Sequence, residues 1–205
     1  FFSFKALYTA SPLESFPEYT LKKVNVPTKG SVAILKANAA KDSYGRFRFG
    51  IPPEKDKADF AFIQHMYASL NKTGQAAIVA SQGVLFRGSE EQKIREGLIS
   101  EDRIEAIIAL PEKIFFGTPI PGCILILNKN KPKSRKDKIL FVYAADDKYF
   151  EKNPKRNLLR DNDVKKIVNA FDKFEDEDGY CHVADLEELK ENEYNLNVPR
   201  YVDIS

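Results

Sequence analysis

Apolar residues fall along the chain in short blocks set between polar stretches, and the blocks alternate between helical and strand spacing. Phe60, Ile63, Met66, Tyr67 and Leu70 recur three and four residues apart, one face of a helix from residue 60 to about residue 71. Asp59 stands where a helix cap belongs, and Gly74 marks the end. Residues 76–80 read as a fully buried strand and residues 90–98 as a charged amphipathic helix. Residues 104–110 form the next buried strand, stopped by Pro111.

Residues 112–121 lead from that strand into another apolar run, 123–128, with no room for a crossover helix. Strands joined by so short a loop are expected to be antiparallel neighbours. Beyond them the pattern predicts a strand at 139–144, an amphipathic helix at 161–174, a short edge strand at 180–183, a capped helix at 185–192 and an extended tail at 194–202. Upstream, residues 31–35 fit a buried strand that feeds a loop carrying Gly45, Gly50, Pro52 and Pro53. Residues 1–30 hold Pro12, Pro17 and Pro27 without periodicity and read as irregular, apart from a short strand near 19–24. The order predicts an α/β sheet ending in a reversed strand. Three parts follow: an irregular segment (1–30), a sheet (31–144), and a helical extension and tail (145–205).

Composition narrows the function classes. Apolar residues make up 43% and charged residues 30% of 205, which is a folded domain or a piece of a larger one. The net charge of +2 supplies no general attraction for nucleic acid, so any DNA contact must come from local patches. The most basic stretch, 129–138, lacks aromatics and lies between two strands, which reads as a solvated loop tip. Cys123 and Cys181 read as reduced, buried thiols of a cytoplasmic protein. His65 reads as a structural, hydrogen-bonded histidine and His182 as isolated; no metal spacing is present. No apolar run reaches membrane-spanning length. The start at Phe1, with Met66 as the single methionine, reads as a fragment.

Several collinear motifs carry a family resemblance. They are Arg46-Phe-Arg-Phe-Gly-Ile-Pro-Pro53, Gly83-Val-Leu-Phe-Arg-Gly88, Ile104-Glu-Ala-Ile-Ile-Ala-Leu-Pro111, Phe115-Phe-Gly-Thr-Pro-Ile-Pro121 and Tyr194-Asn-Leu-Asn-Val-Pro-Arg-Tyr-Val202. In order and approximate spacing, over about residues 44–203, the chain resembles the modification subunits of type I restriction-modification systems. The resemblance implies the C-terminal half of a Rossmann-like S-adenosylmethionine-dependent methyltransferase sheet, with a reversed strand as its hallmark. It also implies methylation of adenine N6 in DNA, alongside a specificity subunit that reads the sequence and a restriction subunit as a further partner. The target adenine must leave the duplex stack to be reached.

The family holds the adenine amine with an Asn-Pro-Pro-aromatic motif, in which proline fixes the backbone and the aromatic stacks on the base. At that place the sequence has Asn38-Ala-Ala-Lys41, so Asn38 alone matches, as the catalytic candidate of a degenerate motif or as an ordinary loop residue. Phe116, and second Phe115, are candidates for stacking on the flipped base, against the alternative that both fill the core. Arg46 and Arg48, in a loop near the presumed active face, and Arg87 are candidates for DNA contact. The competing readings are solvated loop charge for the first two and a structural salt bridge for Arg87.

None of the 10 glycines forms the Gly-x-Gly pair of a cofactor turn, and no acidic residue stands at the end of a second strand for the ribose. The chain alone is therefore expected not to bind S-adenosylmethionine and to be inactive. A degenerate, non-catalytic module binding DNA or partner subunits is the alternative. A methyltransferase acting on RNA or small molecules would share the same sheet.

Overall fold

The computed structural model describes residues 41–51, 58–115 and 118–204, together with the backbone of two short strands at Lys5–Thr9 and Lys22–Lys23. In chain order the elements are β1 (Lys5–Thr9), β2 (Lys22–Lys23), α1 (Asp59–Ala68), β3 (Gln75–Ser81), α2 (Glu90–Ser100) and β4 (Ile104–Ala109). They continue with β5 (Gly122–Asn128), β6 (Lys138–Tyr143), α3 (Asp161–Lys173), β7 (Cys181–Asp185) and α4 (Leu186–Glu191). Among the described residues the strands form one mixed sheet in the order β2-β1-β3-β5-β4-β6-β7. The expected strand at 31–35 lies outside the described residues; the N-terminal segment supplies a short edge strand, β2, within the expected 19–24 stretch, and β1, where none was expected, pairs antiparallel between β2 and β3.

The short-loop hairpin is present: β4 and β5 pair antiparallel, with Ala109 opposite Cys123. The sheet does not end there, however. β5 is inserted between β4 and β3, antiparallel to both, and runs in unbroken register against β3 from Ser81–Gly122 to Gln75–Asn128. Chain order fixes which strands are joined, while their order across the sheet depends on where the segment through α2 carries the chain. That segment sets β4 one strand-width away from β3, and β5 returns into the gap.

Helices and tail cover both faces. On one side α1, α2 and residues 186–202 pack over Ile78, Ile107, Leu125 and Phe141. On the other, α3 sets Ile167, Ala170 and Phe171 against Ala106, Ile108, Leu140 and Val142. β4 is buried at every residue, as expected of an interior strand covered on both faces, but β3 buries only alternate residues, Ala76, Ile78 and Ala80. The tail from Tyr194 is not simply extended, because it turns through a 3-10 helix at Val198–Arg200 and buries Leu196, Val198, Tyr201 and Val202.

Two local expectations change. α1 stops at Ala68 rather than near Asn71, because the Asn71 side chain accepts the Thr73 N–H at 3.1 Å and so favours a turn. Its N-cap is Ala58, and Asp59 sits in the first turn with its carboxylate turned to Ser81 and Arg87. Asp185 does cap α4, accepting from the backbone of Glu187 and Glu188.

The basic stretch 129–138 is a solvated tip only in part: Lys133, Lys136 and Lys138 are exposed, but two other cations are built into the fold. Lys131 is buried, pairs with Asp102 and donates to the carbonyls of Ile104 and Lys138 at 3.0 and 2.6 Å. Arg135 reaches buried Glu105 at 3.1 Å, with its guanidinium against the rings of Phe171 and Phe174. These charges are retained because their partners lie across the sheet, out of view of local sequence. His65 is exposed rather than structural. His182 is not isolated, since its ring bridges Glu188 at 2.8 Å and Asp176 at 3.2 Å. No helix among the described residues is long and apolar enough to cross a membrane.

Candidate functional site

Ligands of open α/β sheets collect at the carboxyl ends of the strands, particularly where neighbouring strands diverge. Here that place is the end of β3 and β4, flanked by the start of β5. Ser81, the last residue of β3, donates from Oγ to Asp59 at 3.3 Å. The 3-10 turn Gln82–Leu85 follows, and Arg87 folds back over it. Arg87 bonds Asp59 at 2.5 Å and Glu91 at 2.5 and 3.1 Å. A Cβ at Gly83 would lie 2.5 Å from Arg87 Nη1, so a larger residue there would push the guanidinium off the turn. Burial works against the Arg87 charge, but its bonds to Glu91 and Asp59 prevail and raise its pKa above the ordinary arginine value. Arg87 is thus held in a half-buried ion-pair triad, of which Glu91 alone is buried, in line with the salt bridge weighed for it.

Beside the triad, Cys123 is fully buried with Sγ 3.8 Å from the Ser81 carbonyl. Burial first, then the Asp59 charge, push its thiol up to about 12, so it stays protonated. The loop after β4 closes through Leu110 N–H to Gly122 O at 3.0 Å. Phe115 lies half-buried across Gly122, where a Cβ would meet Phe115 Cε2 at 2.7 Å, and packs on the α3 side of the sheet. The carboxyl ends of the central strands therefore carry Arg87 on the α1–α2 side of the sheet and Phe115 on the α3 side. Phe116 and Asn38 lie outside the described residues.

Arg46 and Arg48 are elsewhere. Phe49 plugs the groove between α1 and α2, edge-on to Tyr67 and against Gly97, and this draws the preceding loop toward the amino-terminal ends of the strands. Arg48 pairs with Glu101 just after α2, with its guanidinium over Phe49. Arg46 pairs with Asp42 at 2.5 Å and approaches Tyr44 and Phe47. Arg46 therefore holds the Asp42 carboxyl below the usual carboxylate range. Sequence reasoning put these arginines near the active face; the packing of Phe49 puts them at the other end. Sequence reasoning passed over Lys72 and Arg103 and read Lys129 as part of a solvated loop tip, yet all three join Arg48 there. Three separate turns supply them, and no local motif unites them.

Cofactor chemistry can be tested against the described residues at the carboxyl end. Around Arg87 the carboxylates Asp59 and Glu91 are both bonded to its guanidinium, which also covers the glycine backbone at Gly83. Neither a free carboxylate for a ribose nor an open glycine turn is offered around Arg87, so the residues of this triad do not fit S-adenosylmethionine. Among the described residues no group of three His, Cys, Asp or Glu side chains is placed to hold a metal.

A family model described as N-6 DNA Methylase matches residues 25–205. The methylase subunit of the type I restriction enzyme MjaVIII from Methanocaldococcus jannaschii is 46% identical over 153 residues, covering 73% of this chain and 26% of that protein. The HindI methylase subunit from Haemophilus influenzae is 36% identical, over 77% of this chain and 36% of that one. The crystal structure of a type I restriction-modification methyltransferase subunit from Streptococcus thermophilus superposes with a TM-score of 0.75 at 43% identity, covering 82% of this chain and 35% of the other. The chain thus spans about a quarter to a third of the length of these relatives.

Proposed function

Because the chain belongs to the N-6 DNA methylase family, we propose that it is the C-terminal part of the methylation subunit of a type I restriction-modification enzyme. In this reading the subunit acts in the cytoplasm, moving the methyl group of S-adenosylmethionine to adenine N6 in DNA. A specificity subunit chooses the sequence, and a restriction subunit is a further partner. The observation that carries the reading is β5, reversed between β3 and β4, which puts the Phe115-bearing loop at the carboxyl ends of the strands.

Phe116, or Phe115 beside it, is assigned to stack on the flipped adenine, and Asn38 to accept from its amine. Arg46, Arg48 and Arg87 are assigned to DNA, the first two at the opposite end of the strands from the third, and each must loosen an ion pair to reach it: with Asp42, with Glu101, and with Asp59 and Glu91 respectively. The methyl donor is assigned to residues beyond those described, and the chain by itself to be inactive. The committed carboxylates around Arg87 also favour a second reading, a non-catalytic module that keeps the fold to bind DNA or partner subunits.

Labelled methyl transfer tests this, using the uninterrupted subunit with its specificity subunit on duplex DNA and on RNA in parallel. Transfer to adenine N6 of the duplex is expected. Transfer to RNA alone would refute the substrate assignment, and an intact complex with no transfer to either would favour the non-catalytic reading.

A further inference from the structure

At the end of the sheet opposite Arg87 and Phe115, a cavity of about 410 Å³ opens beside the amino-terminal ends of β3 and β4. The two ends are separated by the seven residues of β3, roughly 20 Å at the usual rise of a strand. Arg48, Lys72, Arg103 and Lys129 line the cavity, with Tyr67 as floor and Tyr44, 81% exposed, at the mouth. No carboxylate lines it among the described residues. Glu101, next to the cavity, pairs with Arg48 and lies 3.4 Å from Arg103, one negative charge against four positive ones.

Two of the cations are built in rather than trailing in solvent. Lys129 donates to the Leu70 carbonyl at 2.5 Å and sits 4.8 Å from the centre of the Tyr67 ring. Arg103 donates to the Lys129 carbonyl at 3.0 Å. Burial, then the charges of Arg48 and Arg103, hold Lys129 below the ordinary lysine value, as expected of a cation crowded by its own kind. Holding like charges together around an open cavity is unfavourable unless an anion takes their field.

We propose that this cavity binds phosphoryl groups. Two guanidinium forks and two ammonium groups match the several oxygens and high charge of a phosphoryl group better than a single carboxylate. The open mouth leaves room for the larger molecule that carries it, and Tyr44 offers that molecule an aromatic face. The ligand is a phosphate-bearing one, either a nucleic-acid backbone or a free phosphate compound. This inference does not rest on the methyl-transfer reading, and its test does not involve methyl transfer.

Pyrophosphate is titrated by calorimetry into the chain and into an Arg48→Gln, Lys72→Gln double variant. Neither side chain bonds the backbone, so the thermal midpoint of the variant should stay close to that of the parent; should it fall, Lys72→Glu alone serves in its place. Saturable binding with a Kd at or below about 1 mM is expected, weakened about tenfold or more in the variant. A short DNA duplex that displaces the pyrophosphate would identify a nucleic-acid backbone as the source. Pyrophosphate that stays bound in excess duplex would identify a free phosphate compound. No saturation up to about 10 mM, or equal affinity in parent and variant, would overturn the proposal.

Discussion

The ring of Tyr201 lies flat on that of Phe141, with centroids 3.8 Å apart and planes within 9° of parallel. Phe141 is fully buried in β6, and the Tyr201 hydroxyl donates to the Asn195 carbonyl at 2.8 Å. The tail is therefore part of the core. Tyr201→Ala should lower unfolding stability by about 3–5 kcal/mol, as for other large aromatic deletions. Tyr201→Phe, which keeps the stack and loses one hydrogen bond, should lower it by about 1 kcal/mol. Urea denaturation of the two variants checks both, and an Ala variant as stable as the parent would deny the tail its place in the core.

Arg95 ties three segments together from inside α2. Although buried, it donates to the carbonyls of Val84 and Arg87 at 3.1 and 2.7 Å and to that of Tyr194 at 3.1 Å. Burial pulls its guanidinium down to about 10, still far enough above neutral pH to keep it cationic. Arg95→Met leaves those carbonyls without this donor and should cost about 2–4 kcal/mol. Limited proteolysis should then cut the tail near Tyr194 sooner than in the parent chain. Unchanged stability and unchanged cleavage would sink the idea.

Both cysteines are free and buried, and burial is the first cause that raises each thiol above its ordinary value. A disulfide reagent at about pH 8 should therefore label neither in the folded chain except through opening, and both promptly in urea. Prompt labelling without denaturant would contradict the packing around β5 and β7.

Asp163 closes the start of α3, its carboxylate accepting from the Arg160 backbone N–H and guanidinium at 2.8 Å. The arginine bond, opposed by burial, holds the Asp163 carboxyl below its ordinary value of 3.8. A depressed carboxylate contributes stability that is fully present above the unfolded value and lost as pH falls through the folded one. The stability gap between the parent chain and Asp163→Asn should be open at about pH 6 and narrow below about pH 3. A gap independent of pH would show that the carboxylate charge is not what the cap uses.

Much of the sheet was legible in the sequence because its signals are local. Pro111 and Gly122 bracket the loop between two apolar runs, and so short a loop admits only an antiparallel pair. What was not legible depends on partners far along the chain. Asp59 read as a cap because its ion-pair partner, Arg87, is 28 residues away. Lys131 and Arg135 read as solvated because Asp102 and Glu105 meet them only across the folded sheet. Arg46 and Arg48 read as lying near the active face because nothing local reveals that Phe49 anchors their loop between α1 and α2. In the candidate site, Arg87 and Phe115 lie at the same end of the strands but on opposite faces of the sheet, whereas Asn38 and Phe116 lie outside the described residues.

The proposed division of labour gives this chain the reversed-strand half of the sheet and gives the cofactor to residues outside these 205. Calorimetric titration of S-adenosylmethionine into the 205-residue chain tests it most directly. No saturable heat is predicted, because Asp59, Glu91 and Gly83 are all engaged by Arg87. Stoichiometric binding with a Kd of about 1 μM, near −8 kcal/mol, would contradict it.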